Sequence, residues 1–254
     1  MTAMRDYLVF RLYAPLSSWG DIAVGEVRPS WPYPAKSAIL GLLAAAKGLR
    51  RDERDEQESL RSGYGVAVRV LTPGTPMRDY HTVQRPKQEW IGKGKSKRLK
   101  TYGTRRDELA DKDILNCTQS TRDYYSDAIC DVAVWAVTEP PPWSLDALKG
   151  KLEKPVFCLY LGRKSCPPAL PLRPQVVRQA ATLRAAFAGA EFPDEELLAP
   201  ILNDVGQVQV YWDESAESGY TELHRVTRRD DPLDRERWQF LERQECYATE
   251  TSED

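Results

Sequence analysis

The chain has 254 residues, 41% of them hydrophobic, enough for one sizeable core and rather long for a single typical domain. Lys and Arg number 36 against 38 Asp and Glu, a formal net charge of −2, which excludes a protein uniformly coated with cations to wrap nucleic acid. The longest apolar run, Ala38 to Ala46, covers about nine residues where a membrane span needs roughly 20, and the first residues lack a signal-peptide layout, so a soluble cytoplasmic protein is expected.

Residues 6–13 combine aliphatic and aromatic side chains in a broken alternation and predict a first strand, closed by Pro15. The Gly- and Pro-containing segment from Ser17 to Tyr33 reads as an ordered surface loop carrying Trp19 and Trp31. Pro34 stands at a helix start, and Ala35, Ala38, Ile39, Leu42, Leu43 and Ala46 recur at helical spacing until Gly48. Arg50–Arg61 reads as a solvated charged stretch, followed by a strand over Gly65–Leu71 that ends at Thr72-Pro73-Gly74. A third strand covers Ile129–Val137, and Ser144 caps a short helix to Lys149.

Strand, helix, strand, strand, helix is most of a split β-α-β-β-α-β. The expected fold class is therefore α+β, a ferredoxin-like (RRM-like) antiparallel sheet whose fourth strand is not placed. Beyond Gln175 the pattern predicts a helix-like stretch to Phe187, then strands at Val208–Trp212 and Glu222–Thr227, a smaller C-terminal α+β extension. From Glu242 to Asp254 acids outnumber apolar groups, as in a frayed tail. The expected organisation is 1–170 for the main domain, 171–241 for the extension and 242–254 for the tail. Five cysteines without a C-x-x-C pair read as free thiols, and two histidines, His81 and His224, supply no cage of several imidazoles for a metal.

The average charge conceals an uneven distribution. Nine of the 36 basic residues and one of the 38 acidic residues lie between Arg85 and Arg106, which leaves 27 against 37 elsewhere. The nine are Arg85, Lys87, Lys93, Lys95, Lys97, Arg98, Lys100, Arg105 and Arg106, opposed by Glu89 and accompanied by Trp90, Tyr102 and three glycines. Inserted between the second and third strands, this arm predicts a projecting hairpin or flexible finger. Cations spaced by glycine suit a phosphate backbone, and an aromatic among them can stack on an unpaired base for about 1–3 kcal/mol. An ordinary solvated loop fits the same composition.

Beside the arm, alternation along Arg78-Asp79-Tyr80-His81-Thr82-Val83 sets Arg78, Tyr80 and Thr82 on one side of a strand and Asp79 and His81 on the other. His81 reads as a structural hydrogen bonder, a base contact or a general acid/base. Gly162-Arg163-Lys164-Ser165-Cys166-Pro167 fits either a phosphate cradle or a strand-terminating turn, and the Walker spacing is absent. Lys36 and Ser37, at the start of the first helix, fit either anion binding or ordinary helix-start chemistry.

Several segments in shared order over residues 7–167 resemble the CasD family of type I-E CRISPR Cascade subunits, within the RAMP superfamily. They are Tyr7-Leu8-Val9-Phe10-Arg11-Leu12 with Ser18-Trp19-Gly20, Arg28-Pro29, Pro34-Ala35-Lys36-Ser37 with Ile39-Leu40-Gly41-Leu42-Leu43-Ala44-Ala45, the Arg78–Val83 run, Arg122-Asp123-Tyr124-Tyr125 with Asp127, and Tyr160–Pro167. The resemblance implies a non-catalytic RNA-binding subunit with an RRM-like core and a thumb at about 84–121. Such a subunit holds the 5′ handle of the CRISPR RNA, sits beside a CasC-type backbone subunit and a CasA-type large subunit, and meets target DNA only through the complex. On that reading Arg28, Arg78 and Arg122 bond phosphates or base edges, Lys36, Ser37, Arg163, Lys164 and Ser165 contact phosphates, and Tyr80 and Trp90 stack. No cofactor is implied. The alternative is a metal-independent endoribonuclease that processes precursor CRISPR RNA, as in the related type I-C branch, with Tyr80, His81 and nearby lysines as its acid and base.

Overall fold

Apolar residues on both sides of the first strand decide the architecture. β1 (Arg5–Tyr13) buries Leu8, Phe10 and Leu12 on one face and Tyr7 and Val9 on the other, so it must lie in a sheet covered on both faces, which is why its alternation is broken. The computed structural model describes residues 4–21, 23–202 and 206–250. After β1 come α1 (Lys36–Lys47), α2 (Arg54–Gly63), β2 (Tyr64–Thr72), β3 (Thr75–Pro86), β4 (Leu115–Ser126), β5 (Ile129–Ala136), α3 (Leu145–Glu153) and β6 (Gln175–Ala180). The chain continues through α4 (Leu183–Ala188), α5 (Glu195–Leu202), β7 (Val208–Asp213), β8 (His224–Asp234) and β9 (Gln239–Glu250). Seven of the strands form one antiparallel sheet in the order β6-β1-β5-β2-β7-β9-β8.

On one face of the sheet, Ile39, Leu40 and Leu43 of α1 and Leu148 and Leu152 of α3 pack against Phe10, Val68, Val132 and Val134. On the other, Leu183, Ala186 and Phe187 of α4, with Phe192, cover Tyr7, Val9, Trp135, Val210 and Trp212. α1 stops at Gly48, whose φ of 88° lets its N–H turn back to the carbonyls of Ala44 and Ala45. Ser144 caps α3 by accepting from the Ala147 N–H.

Charges buried in this core are neutralised in place. Arg11, Asp131 and Arg69 are register partners across β1, β5 and β2; the fully buried Asp131 accepts from Arg11 at 2.7 and 3.2 Å and from Arg69 at 2.7 Å. At the other side of the sheet, Arg243 donates to Asp230 at 2.6 and 3.0 Å and to Asp213 at 2.7 Å, and Arg228 donates to the buried Glu245 at 3.1 Å. Burial raises the Asp230 carboxyl, but the bonds from Arg243 outweigh it and hold the group below the usual carboxylate range.

Three expectations need correction. Gln175–Phe187 is not one helix: Val176 and Val177 belong to strand β6, which pairs with β1 along the sheet edge, and Thr182 caps a separate short helix. A free edge beside β1 overrides the local helical pattern. Residues 242–250 are not a frayed tail but lie in β9, where Cys246 and Ala248 are buried and Glu245 is matched to Arg228 and Arg243; residues 251–254 lie outside the described residues. The part after residue 171 extends the main sheet, in which β7 pairs directly with β2. Finally, Trp19 is a core residue at 3% exposure rather than a surface one; the charged stretch is solvated as expected, with Arg54–Gly63 helical within it.

β2 and β5 pair in the sheet as far as Thr72 and Ile129, bend, and resume pairing as β3 and β4 from Thr75 and Ser126. The bend uses Gly74 at φ 72° and Asp127 at φ 56°; a Cβ on Gly74 would lie 2.2 Å from the Ser126 carbonyl oxygen. The result is a two-stranded ribbon whose 12-residue strands extend roughly 35–40 Å. Its stem runs from Thr75 to Ser126, longer than the expected 84–121, so Arg78, Tyr80, His81 and Arg122 stand on the ribbon rather than beside it.

The ribbon's base is pinned from the side. Leu16–Ser17 and Val27–Arg28 pair with β4, and Ser18 donates to the Asp123 carbonyl at 2.9 Å. Ser18 in turn donates its N–H to Leu161, next to Gly162, whose φ is 84° and where a Cβ would fall 1.7 Å from the Ser18 oxygen. Gly162→Ala should therefore destabilise the protein by about 2 kcal/mol or more, read as a lowered denaturation midpoint; a wild-type midpoint would contradict this close approach. Asp230→Asn should cost about 3 kcal/mol at neutral pH. Because the folded carboxyl titrates below its unfolded value, its contribution is present above about pH 4 and is lost on further acidification, so the variant should show a shallower acid limb in a pH series of thermal melts.

Candidate nucleic-acid interface

The ribbon's register sorts its side chains. Asp123 faces Arg78, and Thr121 faces Tyr80, on one side; Arg122 faces Asp79, and Ser120 faces His81, on the other. Arg78 donates to Asp123 at 2.7 and 3.1 Å, and that contact holds the Asp123 carboxyl below its usual range. His81 Nδ1 lies 2.6 Å from Asp79, so the imidazole is engaged along its own strand. Tyr80, on the opposite side, is 58% exposed and offers a free ring.

The parallel pairing of Val27–Arg28 with Thr121–Arg122 places Arg28 beside Arg122, and Asp79 flanks Arg122 on its other side. Arg122 is half-buried and, among the described residues, its guanidinium makes no hydrogen bond or ion pair. The Gly162 loop closes the same corner. Arg163 donates to the Arg28 carbonyl at 3.0 Å and lies 4.6 Å from the Tyr124 ring centroid. Strand register and the loop contact thus bring Arg28, Arg122 and Arg163 together at the ribbon's base, where Arg28 Nη1 also donates to the carbonyls of Gly25 and Val27 at 2.6 and 3.0 Å; the remaining donors fit phosphate oxygens or base edges.

The far end is also basic. Trp90–Ile91 pairs with Arg98–Leu99 in a small hairpin, Trp90 is exposed, and Lys97 Nζ lies 5.7 Å from its ring centroid. Lys100 pairs with Glu89 at 2.7 Å, while Arg105 pairs with Glu108 and bonds the Gln84 carbonyl. Lys87, Lys93, Lys95, Arg98 and Arg106 have no acidic partner among the described residues.

Lys36 and Ser37 are not brought to this corner. Lys36 Nζ is 3.2 Å from Asp213 and 3.8 Å from Asp231, and its backbone N–H donates to Asp230. The anion drawn to this helix start is the chain's own carboxylate. Ser37 and Lys164 instead line a groove beside α1, and Ser165 lies exposed between Lys164 and the buried Cys166. Sequence reading missed three supports of the corner: Ser18 under Asp123, the Tyr124 ring under Arg163, and Asp123 as the partner of Arg78. All three depend on strand register, which the local pattern does not encode.

Comparison with known proteins agrees with the resemblance seen in the motifs. A family model described as "CRISPR-associated protein (Cas_Cas5)" matches residues 7–245. The Cascade subunit CasD of Escherichia coli (strain K12) is 32% identical over 177 residues, 66% of this chain and 70% of that one. Among solved structures, a "CRISPR RNA-guided surveillance complex" chain shares the fold at a TM-score of 0.58 and 23% identity, covering 96% of this chain and 89% of its own. A second, "Crystal structure of Cas protein", gives 0.56 and 24%, covering 97% and 96%. With a match from the first strand into the last, the chain belongs to the Cas5 family of CRISPR-associated proteins, on the side of its CasD-type Cascade subunits.

Proposed function

We propose that the chain is a non-catalytic RNA-binding subunit of a type I-E Cascade surveillance complex, holding the 5′ handle of the CRISPR RNA along the ribbon and at its base. The observation that carries this reading is the convergence of Arg28, Arg122 and Arg163 where an exposed basic ribbon leaves the sheet. Such a site binds a strand by its phosphates, and Tyr80 and Trp90 offer planes for unpaired bases. The complex would supply a CasC-type backbone neighbour and a CasA-type large subunit, and the guide rather than this chain would read target DNA. The complex would work in the cytoplasm; among the described residues no helix is long and apolar enough to cross a membrane.

The reading includes a ferredoxin-like, RRM-like core. Its support is the order β6-β1-β5-β2, with α1 between β1 and β2, α3 between β5 and β6, and the ribbon inserted in the chain between β2 and β5. The non-catalytic role is supported by the ribbon's register. Tyr80 and His81 point to opposite sides, so they do not converge on one scissile phosphate as an acid and base pair must.

Reversing the charges of Lys93, Lys95, Lys97 and Arg98 should weaken binding of repeat RNA and reduce the slope of log Kd against log salt by about 0.7 per lost phosphate contact; an unchanged slope contradicts the ribbon's role. Arg122→Ala should weaken binding about tenfold, as loss of a charge-assisted contact does, without moving the thermal midpoint. Repeat RNA incubated with the chain in EDTA should remain intact. Specific cutting that disappears in His81→Ala would overturn the non-catalytic reading in favour of the nuclease.

A further inference from the structure

Cations left over from ion pairing gather in a second place. Between α1, the segment 157–167 and the β8–β9 hairpin runs a groove of about 1550 Å³. Its walls carry Arg50, Arg51, Lys164, Arg229 and Arg235, and among the described residues none of these five side chains pairs with a carboxylate. Neighbouring arginines behave otherwise: Arg54, Arg61, Arg237 and Arg243 all have acidic partners. The groove's acids, Asp21 and Asp230, both have partners already, Arg243 in the case of Asp230.

Arg235 is the informative member. Its guanidinium lies across α1 at Gly41, where a Cβ would sit 3.3 Å from Nη1, and Nη2 donates to the Ser37 carbonyl while Nε has no partner. Burial, with Arg51 nearby, lowers its pKa to about 10. A cation withdrawn from water beside another cation calls for an anion from outside the chain. The wall also offers a plane: Trp238 is 56% exposed, with the Arg51 guanidinium 4.7 Å from its ring centroid.

The groove is continuous with the ribbon's base through one loop, in which Arg163 turns to Arg28 and Tyr124 while Lys164 enters the groove. We infer that the groove is a second binding strip for the sugar-phosphate backbone of single-stranded RNA, with a phosphate held by Arg235 and Arg51 and a base stacked on Trp238. This rests on the RNA-binding reading above and extends the strand's path past the ribbon, around the loop and along α1. Unpaired cations interleaved with aromatic planes are what an unpaired strand uses and a duplex does not.

The test is fluorescence anisotropy of a labelled uridine oligomer of about 20 nucleotides with the full-length chain, at several salt concentrations. Arg51 and Trp238 are exposed, so Arg51→Ala/Trp238→Ala leaves the core intact, and Lys164→Ala is a second, independent surface variant. The double variant should raise Kd about tenfold or more and lower the salt slope by about 0.7, and Lys164→Ala should lower the slope similarly. Quenching of tryptophan emission by the RNA should shrink when Trp238 is removed. Wild-type affinity and slope in both groove variants, with the ribbon charge-reversal variant impaired, overturns the groove and leaves the ribbon reading standing. The same outcome with an oligoglutamate peptide bound by wild type and not by the double variant assigns the groove to an acidic protein segment, which also overturns the inference. Failure of the wild-type chain to bind any RNA removes the parent reading itself.

Discussion

Burial of carboxylates is the constraint on which the rest depends. Asp131, Asp213, Asp230, Asp231 and Glu245 all lie in or against the sheet at 8% exposure or less, and an ionised carboxylate there is tolerable only beside a cation. Asp131 is held between Arg11 and Arg69, and the other four are matched to Lys36, Arg61, Arg228 and Arg243. These pairs tie α1 and α2 to β7 and β8, link β8 to β9, and fix how the C-terminal half joins the main sheet. They neutralise charge in place, cation for acid, and leave the basic surfaces to composition: nine cations against one acid between Arg85 and Arg106, most of them without an acidic partner, and five unmatched cations along the groove. A chain of formal net charge −2 can thereby present basic surfaces in two places while the rest of its exterior resists unspecific coating of nucleic acid.

The sheet positions the candidate site by extending one of its own strand pairs. β2 and β5 leave the core together at Gly74 and Asp127 and continue as the ribbon, so the orientation of β3 and β4 is inherited from two buried strands. The short pairings at Leu16–Ser17 and Val27–Arg28, with the Gly162 loop locked against Ser18, brace the ribbon where it would otherwise pivot. Rigidity at the base suits Arg28, Arg122 and Arg163, which must keep a common focus, and the polar tip is free of that demand.

Much of this was legible in the sequence, for definable reasons. Strands β1, β2 and β5 and helix α1 carry strong apolar patterns and clear stops, and the basic arm stands out because Glu89 is its single acid. What local reading could not supply was partnership. Gln175–Ala180 becomes a strand only because β1 offers it an edge, and the acids of β9 look like a solvated tail until Arg228 and Arg243 are seen across the strand. Lys36 has the right chemistry for a phosphate, yet Asp213 and Asp231 claim it. Arg235 and Trp238 sit in a charged C-terminal stretch without a motif, and their meaning depends on the fold that lays them along α1.

The most direct measurement is photo-crosslinking of the chain to repeat RNA carrying 4-thiouridine, with the attached residues mapped by mass spectrometry. If the partition of charge directs the RNA, crosslinks should fall on β3, β4, the Trp90 hairpin and the loop at residues 162–165, with Tyr80 and Trp90 prominent. Crosslinks confined to the side of the sheet covered by α4 and α5, with none on the ribbon, would contradict it.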